Sequence, residues 1–95
     1  MNLPSMNLND LLAQILEDNG FQYFDDLTQT CSYTRTENGI CVLRSRSGVL
    51  YYLTQVTGTS TIAMWAYGPM KNRHKIIDFA SPESIQDFEE VLRVW

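Results

Sequence analysis

The stretch that decides the fold is residues 39–67, GICVLRSRSGVLYYLTQVTGTSTIAMWAY. Its apolar residues recur every second position, it is rich in β-branched and aromatic side chains, and glycines interrupt it at intervals. That pattern predicts strands rather than helices, because a period of two places alternate side chains on opposite faces of a pleated ribbon. Glu37-Asn38-Gly39 predicts a tight hairpin turn, since Asn-Gly tolerates the positive φ of a type I′ turn. Ser47-Gly48 and Thr57-Gly58-Thr59-Ser60 mark the next reversals, and Gly68-Pro69 closes the fourth strand. The strands expected are about 30–36, 40–46, 49–57, 61–67 and 75–79, and connections this short make an antiparallel meander.

Outward from the sheet, the pattern changes to a helical period on both sides. Leu8, Leu11, Leu12, Ile15 and Leu16 form one apolar stripe, the mark of an amphipathic helix. Asn7 is its expected N-cap and Asn19-Gly20 its left-handed stop, so the helix should span about 8–18. At the other end, Ser81-Pro82-Glu83 combines a capping residue, a proline suited to the first helical position and an acid in the first turn. Ile85, Phe88, Leu92 and Trp95, with Val91 alongside, give the apolar face of this second helix. Phe21 to Thr30 has aromatics broken by Asp25-Asp26 and is expected to be a loop or short turn packing onto the core. The class expected is therefore α+β, an antiparallel four- to five-stranded meander with one N-terminal and one C-terminal helix, over residues 1–95 as a single domain.

If Asn38-Gly39 and Ser47-Gly48 are two-residue turns, Glu37 opposes Ile40 and Arg46 opposes Val49. Cys31 then opposes Arg46, and Cys41 opposes Thr36. One face collects Ile40, Val42, Val49, Tyr51, Leu53, Ile62, Met64 and Ala66, with Tyr33, Arg35, Arg44 and Arg46 toward one edge. The other collects Cys41, Leu43, Leu50, Tyr52, Val56, Ala63, Trp65 and Tyr67 among small polar residues. In this register Leu43, Tyr52 and Trp65 line up across three strands. They are core if a helix lies on each face, and an apolar interaction patch if both helices cover the aliphatic face.

The chain has 95 residues, 44% hydrophobic and 19% charged, with a formal charge of −4. These values are ordinary for a globular domain. The charge is segregated. Residues 1–30 carry five acids and no base, residues 31–77 six bases against Glu37, and residues 78–95 five acids and Arg93. Internal neutralisation, with acidic helices against a basic sheet edge, is the simplest expectation. The N-terminal Met1-Asn2-Leu3-Pro4-Ser5 has neither the basic region nor the apolar run of an export signal, and no apolar run is long enough for a membrane helix. A cytoplasmic protein without a membrane association is expected.

Chemistry-bearing motifs are sparse. Two cysteines, Cys31 and Cys41, and one histidine, His74, are too few for a structural zinc site, so no metal and no cofactor is expected. His74 lies in the basic stretch Lys71-Asn72-Arg73-His74-Lys75 with no local carboxylate to orient it as a base. The acids Asp10, Glu17, Asp18, Asp25 and Asp26 lack EF-hand spacing. The helix–meander–helix order with an acidic first helix resembles frataxin-like domains in outline; the resemblance is one of element order and implies no iron chemistry.

These features point away from an enzyme and toward a small protein-binding module: an inhibitor, an immunity or anti-defence factor, or an adaptor. Leu43, Tyr52, Trp65 and Tyr67 are the expected partner-binding residues, because Trp and Tyr most often anchor interfaces. The alternative is a single-stranded nucleic-acid binder using Arg35, Arg44, Arg46, Lys71, Arg73 and Lys75 beside sheet aromatics. The acidic isoelectric point near 4.7 weighs against it. An edge strand, 30–36 or 75–79, could also pair across a twofold axis to make a homodimer.

Overall fold

A computed structural model describes residues 7–25, 31–37, 39–44, 48–68 and 72–94. The chain runs α1 (Leu8–Asp18), β1 (Gln22–Tyr23), β2 (Ser32–Arg35), β3 (Gly39–Arg44), β4 (Val49–Gln55), β5 (Thr61–Tyr67), β6 (Arg73–Asp78) and α2 (Ser84–Val94). The strands form one sheet in chain order. The α+β class and the helix at each end agree with the sequence pattern. The sheet, however, is six-stranded and mixed rather than four- to five-stranded and antiparallel.

The additional strand is β1, which pairs parallel to β2, while every other neighbouring pair is antiparallel. It forms because Phe21 buries its ring and holds the following backbone against β2. Gln22 N–H then donates to the Cys31 carbonyl at 3.1 Å and Phe24 N–H to the Tyr33 carbonyl at 3.0 Å.

α1 begins where its cap predicts. The Asn7 side-chain oxygen accepts from the Asp10 N–H at 2.8 Å, satisfying one of the donors a helix start leaves unpaired. At the far end Gly20 takes a φ of +90°. The Asn19 side-chain amide donates to the Ile15 carbonyl at 2.8 Å and to the Glu89 carboxylate at 3.0 Å, tying the end of α1 to α2. α2 starts two residues later than its sequence signal. The Ser81 hydroxyl donates to the Glu83 carboxylate, and this turn leads into the helix through the Asp87 N–H bond to the Glu83 carbonyl at 3.0 Å. Ile85, expected on the buried face, is exposed, and Ser84 takes the inward position. Trp95 lies outside the described residues.

Both helices pack on one face of the sheet. Leu12, Ala13, Ile15 and Leu16 of α1 and Phe88, Val91 and Leu92 of α2 share a single core with Tyr33, Ile40, Val42, Tyr51, Leu53, Ile62, Met64, Ala66 and Ile77. Phe79 meets Phe88 edge-on at 5.9 Å.

The first turn lies one residue earlier than expected, with Thr36 N–H donating to the Gly39 carbonyl at 2.8 Å, and the second connection is longer than two residues. Arg35, not Glu37, opposes Ile40. Arg44, not Arg46, opposes Val49, with Gly48 at φ +70° closing the longer loop. Each shift is by two residues, so every side chain keeps its face. Gly39 belongs to β3 and does not take a positive φ. Glycine is needed there for another reason: a Cβ would meet the Leu53 carbonyl oxygen at 1.9 Å. The third turn is centred on Gly58-Thr59, one of the two expected centres, with Gly58 at φ +77°.

Candidate functional site

The sheet face away from the helices is built from the alternate residues of each strand. Its central row runs Thr34, Cys41, Tyr52, Trp65, His74, each directly opposite the next on the adjacent strand. A second row runs Ser32, Leu43, Leu50, Tyr67. On the other side of the central row, Thr54 opposes Ala63 and Ala63 opposes Ile76.

Tyr52 and Trp65 lie with ring centroids 6.2 Å apart, and Trp65 stacks on His74 at 5.1 Å with 30° between planes. Tyr52 and Trp65 are half-buried, whereas Tyr67 is 45% and Ile76 60% exposed. The four expected partner-binding residues therefore share this face, but Leu43 is not in line with Tyr52 and Trp65. The longer turn at 45–48 moves it one row over, opposite Leu50, and Cys41 takes the place beside Tyr52.

His74 and Ile76 were not expected here. The charged residues around them delay the strand signal, so the sequence predicts a strand only from about 75, while β6 starts at Arg73. The alternation His74, Ile76, Asp78 was the signal available.

The bases lie elsewhere. Arg35 and Arg44 belong to the helix side, where Arg35 forms an ion pair with Asp10 at 3.0 Å. Arg44 donates to the Arg93 carbonyl at 3.0 Å and stands over the Tyr51 ring. Tyr33 and Tyr51, the aromatics interleaved with these arginines, are buried beneath the helices. Arg73 and Lys75 also alternate toward the helix side, on β6, with exposed side chains. The strand order separates them from Arg35 on β2 by four strand spacings, about 19 Å. Arg46 and Lys71 lie outside the described residues.

The cysteines are free thiols. Cys41 opposes Thr34, not Thr36, and burial pushes its thiol pKa up, away from the thiolate a nucleophile needs. Among the described residues, no three His, Cys, Asp or Glu side chains gather as a metal site would require. No helix among them is long and apolar enough to cross a membrane.

Tyr33 is a further polar feature, on the helix side. Its hydroxyl donates to the Glu17 carboxylate at 2.5 Å. Burial and that carboxylate together push its pKa up to about 12. The contact anchors α1 to β2 and lies away from the aromatic face.

The chain matches no protein-family profile, no curated protein and no solved structure.

Proposed function

We propose that the chain is a small non-catalytic protein-binding module that takes its partner on the open sheet face, with Tyr52, Trp65, Tyr67 and Leu43 as contacts. One observation carries this reading: both helices lie on the aliphatic face, leaving the face that holds the aromatic row on the other side of the sheet. Trp and Tyr there offer large contact areas on stiff side chains, the usual composition of interface hot spots. Apart from His74 at the β6 end of the central row, the face residues Cys41, Leu43, Leu50, Tyr52, Ala63, Trp65 and Tyr67 include no acid and no base. The fitting occupant is thus an uncharged apolar patch on a folded protein. The exposed acids Glu17, Asp18, Asp87 and Glu90 on the helices would steer approach and select partners rather than add affinity. An inhibitor, an immunity or anti-defence factor and an adaptor all fit this description.

The test is capture from lysate, with and without nuclease treatment, by the wild-type chain and by Trp65→Ala and Tyr52→Ala. The expected result is a stoichiometric protein retained by the wild type and lost by both variants, with their circular dichroism unchanged. Equal retention by the variants would place binding elsewhere. A signal abolished by nuclease would favour single-stranded nucleic acid stacked on the same rings.

A further inference from the structure

Among the described residues, β6 is the long outer margin of the sheet. The opposite margin, β1, is two residues long. Among the described residues no strand lies beyond β6, and five of its six residues are exposed. The ladder fixes which backbone groups point outward. Phe79 N–H donates to the Ser60 carbonyl at 2.9 Å. Continuing the β5–β6 register, the alternation of antiparallel bonds directs Ile77, Lys75 and Arg73 toward β5. His74, Ile76 and Asp78 therefore turn their N–H and C=O groups away from β5, and of these the Asp78 carbonyl already accepts from the Ser81 N–H at 3.1 Å. The same three residues carry their side chains to the open face, where Ile76 is 60% exposed.

We infer that two copies of this chain join edge to edge through β6, antiparallel across a twofold axis at Ile76, into one continuous sheet. A twofold normal to the sheet keeps both open faces on the same side, so the residues that meet are two, four or no positions apart in number. With Ile76 on the axis, Ile76 meets its own copy, His74 meets the second copy's Asp78 on both sides of it, and Lys75 meets Ile77. Ile76 and its copy then exchange two hydrogen bonds and the Asp78 N–H of each copy donates to the other's His74 carbonyl, about four in all, the Asp78 carbonyl being engaged by the Ser81 N–H. Sliding the strands until Lys75 lies on the axis sets two ammonium groups opposite each other and breaks both His74–Asp78 pairings, which is unfavourable. Repulsion between the two Lys75 groups thus disfavours that alternative, while hydrogen bonding and the apolar contact at Ile76 favour the register with Ile76 on the axis. Charged residues on an edge strand ordinarily discourage pairing; here the bases fall opposite apolar residues or an acid. The pairing lays the two open faces side by side and does not rest on the protein-binding reading.

An edge pairing of this size belongs to the weak class of interfaces, below about 1,200 Å², so the purified full chain should be examined by sedimentation up to about 100 μM. The wild type is expected to move with concentration from 10.9 kDa toward twice that mass. Ile76→Pro removes an N–H that points away from β5, a position where an edge strand tolerates proline. It should stay at the monomer mass with wild-type circular dichroism. His74→Asp sets like charges opposite Asp78 at two places and should weaken association about fivefold. If Ile76→Pro fails to fold, His74→Asp alone decides. A wild type that stays monomeric, or a dimer indifferent to His74→Asp, overturns the inference. So does a dimer that survives Ile76→Pro and is lost in Tyr52→Ala, since the copies would then meet through the open face.

Discussion

Trp65 and His74 stack across β5 and β6 with centroids 5.1 Å apart, and Tyr52 continues the ladder from the other side of Trp65 at 6.2 Å. Contact between neighbouring rings narrows the side-chain freedom that a partner on the proposed site would have to freeze out. A surface ordered before binding loses less entropy on association, an advantage the proposed partner site would draw on.

His74→Ala should therefore weaken partner binding even where the imidazole makes no contact itself, because it releases Trp65. The expected loss is at most about 0.5–1.5 kcal/mol, the range of one aromatic pair, with a fall of only a few degrees in the melting temperature of a chain that still unfolds cooperatively. Isothermal titration beside thermal unfolding separates this from a folding defect.

Tyr33 should make the fold sensitive to alkali. Its pKa rises from 10.0 to about 12 in the folded chain, from burial and the Glu17 hydrogen bond. The native state thus holds a proton that the unfolded state has lost. The corresponding stability is complete below pH 10 and disappears as pH rises through about 12. Tyr33→Phe should cost about 1 kcal/mol at neutral pH and flatten the decline of stability over this window, as read by urea unfolding at stepped pH.

Gly39→Ala should destabilise more than Gly58→Ala, although Gly58 has the positive φ. At Gly39 the new methyl would meet a backbone oxygen that cannot move aside, and overpacking of this kind costs about 1–3 kcal/mol. At Gly58 there is open space around the Cβ and only the backbone conformation resists, at about 1 kcal/mol. Midpoints of denaturant unfolding give the order directly.

The Arg35–Asp10 ion pair is nearly half-exposed on both sides. Arg35→Gln should change stability by less than about 1 kcal/mol, and the change should shrink further in high salt. The pair joins the acidic first helix to the basic stretch, as the segregated charges led one to expect, and its role is docking rather than large stabilisation.

How much of this was legible depended on which errors cancel. α1 could be read to the residue because Asn7 and Gly20 bracket an unbroken apolar stripe. The two faces of the sheet could be read despite a displaced first turn and a longer second one, because register shifts of two residues preserve parity. The row itself could not: Leu43 and Cys41 exchange places with a turn only two residues longer. Asn38-Gly39 looks like a positive-φ turn in sequence, and only the approach of Leu53 shows what Gly39 is for. β1 is too short to have any period, and β6 begins in charged residues of weak strand propensity. Which side the helices take depends on packing between distant segments, which local periodicity does not carry.

The most direct test of the central claim is the affinity of Trp65→Ala for the protein that the wild type captures, measured by isothermal titration beside its unfolding curve. Binding by the aromatic face predicts a loss of about 2 kcal/mol or more in a chain that still folds cooperatively. Wild-type affinity in the variant would contradict it, as would collapse of the fold, which would make Trp65 part of the core rather than a surface for a partner.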